Sequence, residues 1–452
     1  MVVKDSKKTA TKNACKLCTP LGACIALKGV KNAMPLLHGS QGCATYMRRY
    51  LIGHFKEPVD IASSNFTEHS TIFGGGQNLE TGIKNVLKAY NPKLIGIATT
   101  CLTETIGEDV NLMLNNILKS SDFQEYPEIV SVSTASYSGT HIDGYYHAIR
   151  EIVKTLAKAD FAGDRINILN GLFSPADIRH IKEILDDFGI DYSLLPDYSE
   201  TFDGASWETY NKIPEGGTEL GDIKLMGVAG ASIEFGKTFN YESAGSYLED
   251  KMGIKNHRLH YPIGIKQTDV FFNVLEKISG LKTPQKYINE RGRLVDSYVD
   301  GHKYVFGKKA IVFGEEDFVL GLVSFLTEIG IHPVLVASGG ESGKLEQYVD
   351  VIKSKTGFNK DILVKQGLDF TEIEEYAKTL SPDLLIGNSK GYSFGKKIKV
   401  PLIRVGFPIH DRFGGQRILH IGYRGAQNLF DTIVNTIIEE RQKSSDIGYS
   451  YM

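Results

Sequence analysis

Cysteine is scarce in this sequence, with only five cysteines among 452 residues. Five is an odd number, and so few cysteines cannot build a disulfide framework for a chain of this length. We therefore expect reduced thiols in a reducing compartment. Tryptophan is scarcer still, with a single residue.

Excess charge and long apolar runs are also missing. The net charge of −3 gives no electrostatic reason to bind nucleic acid or an acidic membrane surface. No apolar run approaches the roughly 20 residues that a membrane span needs. The first 14 residues are polar and basic and lack the apolar core of a secretion signal. We expect a cytoplasmic protein that binds neither nucleic acid nor membrane.

Repeated α/β units account for most of the chain. Residues 166–197 and 309–340 each combine two apolar strand-like runs around an amphipathic helix. Residues 84–101 and 373–390 each combine a helix, a proline-marked loop and a buried strand. This pattern predicts an α/β fold of three units, each with a parallel sheet flanked by helices.

The length of the chain also requires more than one domain, because single cores stop growing well below 452 residues. The sequence turns polar near residue 160, and a new strand follows residue 305. We predict three domains, at residues 1–162, 163–305 and 306–452, and we expect the first of these to bind a cluster.

Three of the cysteines stand beside glycine- or threonine-rich turns: Cys18 in KLCTPLGA, Cys43 in LLHGSQGCATY and Cys101 in LIGIATTCLTET. Thiolate is the soft ligand that holds iron in iron–sulfur clusters, and small neighbours let backbone N–H groups reach the cluster sulfur atoms. The pattern indicates a cradle for such a cluster.

The expected local structure supports this interpretation. Cys101 follows a predicted strand at 94–100, and we expect the next helix to begin near residue 103. Cys43 follows a predicted strand at 34–37, and Pro20 places Cys18 at the start of a helix. Ligands bind beyond the carboxyl ends of parallel strands, and a helix start favours thiolate. All three settings favour the ionised, metal-binding form.

The alternative is that each cysteine is a small buried hydrophobe, and Cys24 in an apolar helix fits that description. Cys15 forms a Cys-x-x-Cys with Cys18, but no second pair follows at zinc spacing, so a structural zinc site has little support. Three thiolates also leave a four-iron cluster one ligand short. Ser136 or a residue of another subunit could complete the set.

A strand-to-helix turn at 337–346 is similar to a phosphate-binding loop. It lacks the first glycine and the final hydroxyl of that motif, with Ser338 and Leu345 in those positions. We predict an ordinary turn there.

Together these segments resemble the nitrogenase component 1 family. The intervals between Cys18, Cys43 and Cys101 are those that separate the cluster cysteines of its β-type subunits. The resemblance continues through residues 54–79 and 133–145. It extends to PLIRVGFPIHDRFGGQRILHIGYRGAQNLFDTIVN at 401–435.

The resemblance implies an α/β fold of three Rossmann-like domains and a function in nitrogen fixation. Cys18, Cys43 and Cys101 take the positions of the β-side ligands of the eight-iron P-cluster, and Ser136 takes the position of its serine ligand. It implies an iron–sulfur cluster, either 4Fe-4S or a P-cluster-like 8Fe-7S centre, that is shared with a homologous partner subunit. The implied assembly is an α2β2-like heterotetramer that works with the nitrogenase iron protein.

Two branches of the family fit. The segments NACKLCTPLGA, GSQGCATYMRRYLIGHFKEP and the terminal GYSYM resemble the N subunit of the E–N scaffold for iron–molybdenum cofactor biosynthesis. In that branch the E-type partner mainly holds the cofactor precursor, and no stand-alone activity is expected. The alternative is the β subunit of a nitrogenase or nitrogenase-like reductase, paired with an α-type subunit. The reductase β subunit usually carries a longer N-terminal extension, which favours the scaffold.

Overall fold

The computed structural model describes residues 13–120, 127–158 and 163–446. Within these residues, thirteen strands form three sheets, and every pair of neighbouring strands is parallel. Helices flank the sheets, and central strands are apolar and fully buried, as parallel sheets require. The predicted fold class is confirmed.

Unit 1 contains the first sheet. Its strands are β1 (Ala33–His38), β2 (Ala62–Ser63), β3 (Leu94–Thr99) and β4 (Glu128–Val132). Its helices are α1 (Thr19–Lys28), α2 (Gln41–Phe55), α3 (Glu68–Phe73), α4 (Gly76–Tyr90), α5 (Cys101–Thr105), α6 (Val110–Ser120) and α7 (His141–Leu156). The strand order is β2-β1-β3-β4.

Unit 2 contains the second sheet. Its strands are β5 (Ile166–Leu169), β6 (Tyr192–Leu195), β7 (Ala231–Phe235) and β8 (Asn256–Leu259). Its helices are α8 (Pro175–Phe188), α9 (Leu220–Leu225), α10 (Ala244–Met252), α11 (Gly264–Ser279) and α12 (Gln285–Val305). The strand order is β6-β5-β7-β8.

Unit 3 contains the third sheet. Its strands are β9 (Lys309–Gly314), β10 (His332–Ser338), β11 (Leu363–Lys365), β12 (Leu384–Gly387) and β13 (Leu402–Arg404). Its helices are α13 (Glu316–Glu328), α14 (Leu345–Thr356), α15 (Phe370–Leu380), α16 (Tyr392–Ile398) and α17 (Gly422–Lys443). The strand order is β11-β10-β9-β12-β13. The turn between β10 and α14 is the strand-to-helix connection predicted at 337–346.

The units share much of their interior. One contiguous cluster of buried apolar residues draws on all three, and α12 packs along α17. The predicted domain boundaries, after residues 162 and 305, fall between sheets and stay a prediction. No helix among the described residues is both long and apolar enough to cross a membrane.

Helix α1 is held unusually close to α7. A Cβ atom on Gly22 would lie 1.6 Å from the carbonyl oxygen of His141, and one on Gly144 would lie 1.9 Å from that of Thr19. Only glycine permits this approach of two backbones. The contact fixes the first turn of α1, which follows Cys18, against the segment that carries Ser136.

Candidate metal centre

The candidate ligands follow three neighbouring strands of unit 1. β1, β3 and β4 are adjacent and in register, so their carboxyl ends lie side by side. Cys43 follows β1, Cys101 follows β3 and Ser136 follows β4. The topology therefore brings three residues from distant parts of the sequence to one edge of the sheet, where parallel sheets bind ligands. We call this the thiol edge.

Cys43 and Cys101 both stand at helix starts. Ser40 is the N-cap residue of α2, so Cys43 lies in the first helical turn. Cys101 is the first residue of α5, and the Glu104 N–H donates to the carbonyl of Thr100 at 3.1 Å. The prediction that this helix begins near residue 103 was two residues late, because Thr100 already has the extended N-cap conformation.

Cys18 reaches the same edge from the N-terminal side. It is the N-cap residue of α1 and precedes Pro20, as predicted. The next residue, Thr19, donates its backbone N–H to Ser136 Oγ at 3.2 Å. Ser136 in turn donates its backbone N–H to Cys101 Sγ at 3.2 Å. Two hydrogen bonds thus link Ser136 to Cys101 and to Thr19, the residue that follows Cys18.

The three thiols are free and half-buried. Burial raises the pKa of Cys43, and the neighbouring Cys101 and Cys18 raise it further. For Cys43, the expectation that its setting favours thiolate is therefore wrong in the metal-free chain, because burial and like charge both oppose ionisation. The same interaction shows that the three sulfur atoms are electrostatic neighbours. A bound cation would reverse the balance and favour thiolate.

The other two cysteines point elsewhere. Cys24 is fully buried in α1, as predicted. Cys15 is buried in an apolar cluster of unit 3 with Ile311 and Phe313, and burial raises its pKa to about 12. Cys15 and Cys18 therefore serve different units, and the geometry gives no support to a zinc site on this Cys-x-x-Cys.

The thiol edge does not resemble a site for one metal ion. Among residues 13–120, 127–158 and 163–446, no group of three or more His, Cys, Asp or Glu side chains could hold a single ion. A cluster of several irons differs, because its protein ligands need not all bind the same iron atom and so need not meet at one point. Soft, free, half-buried thiols with a backbone N–H on one sulfur fit such a cluster.

Side chains behind the edge connect its loops, and their hydrogen-bond partners could hardly be predicted from the sequence. Glu104 Oε1 accepts hydrogen bonds from the hydroxyls of Thr99 and Ser133. His38, the last residue of β1, binds Ser64 and Glu108. The position of His38 beside the glycine turn before Cys43 was the only available signal.

A second feature lies beside the thiol edge, where the three units meet. It is a cavity of about 300 Å³ with an acidic lining. Its lining includes Asp143, Glu315, Glu316 and Cys15 but none of the three cysteines of the thiol edge. The cavity and the proposed ligands are therefore separate features.

The structure defines a class of protein with three parallel α/β units. Free thiols, which are soft metal ligands, lie at the carboxyl-end edge of the sheet in the first unit. The model of the nitrogenase component 1 type oxidoreductases matches residues 18–438. The chain belongs to that family.

Curated relatives align over nearly the whole chain. The nitrogenase molybdenum-iron protein beta chain of Clostridium pasteurianum is 34% identical, and the alignment covers 97% of this chain and 95% of that one. The corresponding Methanococcus maripaludis chain is 35% identical, with 98% of each covered. The nitrogenase vanadium-iron protein beta chain of Trichormus variabilis is 34% identical, with 99% and 98% covered.

Solved structures agree with the family. A chain of nitrogenase Cp1 at pH 6.5 superposes with a TM-score of 0.95 and 33% identity, covering 100% of this chain and 98% of that one. A chain of nitrogenase Cp1 at pH 5, 16% identical with a TM-score of 0.70, shares the fold alone.

Proposed function

We propose that this chain is the β-type subunit of a nitrogenase component 1 complex and that Cys18, Cys43 and Cys101 bind an iron–sulfur cluster. The observation that carries the proposal is that these three free thiols, from three separate segments, lie at one edge of unit 1. Thiolates are the ligands that such clusters need. When bound, the cluster supplies electron transfer toward a cofactor held mainly by a partner subunit.

The chain's own groups prepare the ligands. The Ser136 N–H donates to Cys101 Sγ and would stabilise negative charge on that sulfur. Ser136 Oγ, which accepts the Thr19 N–H at 3.2 Å, is the fourth candidate ligand. A neutral hydroxyl binds iron more weakly than thiolate. Whether the centre has four irons or eight, as in a P-cluster, depends on the ligands that the partner adds.

A partner subunit is part of the proposal. Three ligands on one side leave an open face, and the three thiols are partly exposed in the single chain. A homologous subunit that contributes its own ligands would close this face. We propose an α2β2-like heterotetramer that works with the nitrogenase iron protein in the cytoplasm.

Two roles fit this assembly, and the reductase subunit has the stronger support. The relatives named above are nitrogenase beta chains, and they align over nearly all of this chain. The short N-terminus no longer favours the scaffold, because the alignment covers 95% of the Clostridium chain but only 85% of the Azotobacter vinelandii chain. Nitrogenase beta chains thus differ in length from one another.

The scaffold role is the second candidate. It has support from the segments NACKLCTPLGA and CATYMRRYLIGHFKEP, which resemble N-type subunits and include Cys18 and Cys43 of the thiol edge. In that role the partner is an E-type subunit, and the pair carries a precursor of the iron–molybdenum cofactor. A scaffold must release its cargo, whereas a reductase retains its cofactor and shields it from water.

One experiment separates the two roles. The chain is co-purified anaerobically with its partner, and acetylene reduction is measured with iron protein and ATP. In parallel, the same complex is mixed with cofactor-free nitrogenase, and recovery of activity is measured. Acetylene reduction without cofactor transfer is the result we expect. Cofactor transfer without acetylene reduction would assign the chain to the scaffold.

A further inference from the structure

His38 is a fully buried polar residue at the carboxyl end of β1, directly beside the thiol edge. Its ring contacts Ser64 Oγ through Nδ1 at 3.0 Å and Glu108 Oε2 through Nε2 at 2.7 Å. The side chain of Glu108 is only 5% exposed. The orientation of this buried ring is fixed, because both nitrogen atoms make hydrogen bonds and the ring cannot turn in an apolar setting without losing them.

The partners define the direction of these hydrogen bonds. Gly39 donates its N–H to Ser64 Oγ at 2.9 Å, so the serine hydroxyl is free to donate its own proton to His38 Nδ1. His38 Nε2–H then donates to Glu108, whose other oxygen accepts the N–H of Gly75. Burial lowers the pKa of His38 more than Glu108 raises it, which agrees with a neutral ring.

This chain of hydrogen bonds joins the two cysteine loops. Gly39 begins the turn that leads to Cys43, and Glu108 follows the short helix that begins at Cys101. The backbone carbonyl of His38 also accepts the Thr100 N–H at 3.1 Å, and it accepts the hydroxyl of Thr103.

The two loops are also in direct contact. A Cβ atom on Gly39, whose φ is +148°, would lie 2.0 Å from Thr100 Oγ1. A side chain at Gly39 would therefore push the two loops apart.

We propose that His38 is a positioning residue for the cluster site: its ring and carbonyl hold the Cys43 turn and the Cys101 helix at a fixed separation. The inference rests on the proposed function for the cluster itself. The positioning of the two thiols does not, because the hydrogen bonds are made by the chain alone. Loss of the ring should loosen both cysteines together and leave Cys18, which reaches the edge from α1, less affected.

The molecule offers a matched control. His420 and Asp177 form another buried histidine–carboxylate pair, with Nδ1 and Oδ2 at 2.9 Å, between units 2 and 3. His38→Gln and His420→Gln remove comparable buried contacts. Only the first should affect the thiol edge.

The test uses the full chain with its partner subunit, before and after removal of iron by a chelator. In the iron-free complex, mass spectrometry measures the rate at which iodoacetamide alkylates each cysteine. We expect His38→Gln to raise the rates at Cys43 and Cys101 about tenfold, the change that the loss of about one net hydrogen bond gives a local opening. In the iron-loaded complex we expect a changed paramagnetic resonance spectrum and a shifted midpoint potential.

Wild-type alkylation rates and an unchanged spectrum in His38→Gln would overturn the inference, and so would equal effects from His420→Gln. If His38→Gln does not fold, Glu108→Gln replaces it, because glutamine keeps an acceptor for Gly75 but presents N–H to His38 Nε2. The same two readouts then decide. A wild-type complex without iron would contradict the proposed function, while the alkylation rates would still test the positioning.

Discussion

The carboxyl-end edges of units 1 and 3 have the same architecture and different chemistry. In unit 3, Glu315 follows β9 and caps α13 by accepting the N–H groups of Asp317 and Phe318, both at 2.8 Å. Asp317 itself accepts the N–H of Lys237 at 2.7 Å. The acidic side chains of this edge thus accept hydrogen bonds from the chain's own N–H groups.

The thiol edge of unit 1 leaves its groups available. Cys18, Cys43 and Cys101 are free and partly exposed, and burial together with the neighbouring sulfur atoms raises the pKa of Cys43. The same arrangement of parallel strands therefore has an internal structural role in one unit and carries the proposed metal-binding edge in the other. Fold alone does not define function here; the residue types at the strand ends do.

The largest effect should follow from removing ligands of the thiol edge. We expect Cys43→Ala or Cys101→Ala to remove most of the bound iron, because thiolates are the protein ligands that hold an iron–sulfur cluster as a whole. Cys18→Ala should weaken iron binding. Iron is quantified per complex after anaerobic purification.

Cys24→Ala is the matched control, because Cys24 is a fully buried thiol of the same unit. It should lower stability by about 1 kcal/mol through lost packing and leave iron unchanged. Equal iron loss in Cys24→Ala and Cys43→Ala would show that the ligand assignment is wrong.

Much of the thiol edge could be predicted from the sequence. Apolar runs located β1 and β3 to within about one residue at each end, and the cysteines after them were recognised as candidate ligands. Parallel topology then explains their convergence, since it follows from strand order. Cys24 was placed in a buried helix because the residues around it are apolar, and the apolar character of a segment is a local signal.

Contacts between distant segments were beyond such reasoning. Cys15 stands three residues before Cys18 yet belongs to the buried apolar cluster of unit 3 that contains Ile311, and no local pattern connects these positions. Likewise, Ser64 and Glu108 were not recognised as partners of His38. The thiol pKa of Cys43 depends on sulfur atoms that only the fold brings near.

The next largest effect should come from the partner subunit. A chain expressed alone should be poorly soluble or poor in iron, because the open face of the thiol edge leaves bound iron accessible to oxidants. Co-expression with the homologous partner should raise both solubility and iron content. Size-exclusion chromatography with iron analysis measures this. A stable monomer with a full complement of iron would contradict a shared cluster.

A smaller effect should follow from disturbing the packing beneath the thiol edge. Gly22→Ala places a methyl group against the His141 carbonyl and should destabilise the chain by on the order of 3 kcal/mol. Gly221→Ala in α9 meets no atom within 4 Å and should stabilise it by about 0.5–1 kcal/mol. Denaturant unfolding measures both. Equal stability of the two variants would show that the α1–α7 contact is not tight.

A further effect, similar in size to that of Gly22→Ala, concerns a carboxyl group of unit 3. Burial raises the pKa of Glu328 from 4.5 to about 7, although Ile265 and Lys266 donate N–H groups to it. The folded chain then holds the proton more tightly than the unfolded chain. Stability should fall as the pH rises from about 4.5 to 7, by on the order of 3 kcal/mol in total.

Glu328→Gln should flatten this part of the stability profile, as measured by denaturant unfolding at several pH values. Glu374→Gln is the control. Lys397 and Lys378 lower the pKa of Glu374, so its contribution is lost only below pH 4.5. A wild-type slope in Glu328→Gln would assign the pH dependence to another group.

Mössbauer spectroscopy of the ⁵⁷Fe-labelled complex, purified anaerobically with its partner, tests the central claim most directly. The account predicts sulfur-coordinated iron in a multi-iron cluster, present in the wild type and lost in Cys101→Ala. A wild-type complex without sulfur-bound iron, or one whose cluster signal survives unchanged in Cys101→Ala, would contradict the assignment of the thiol edge as an iron–sulfur site.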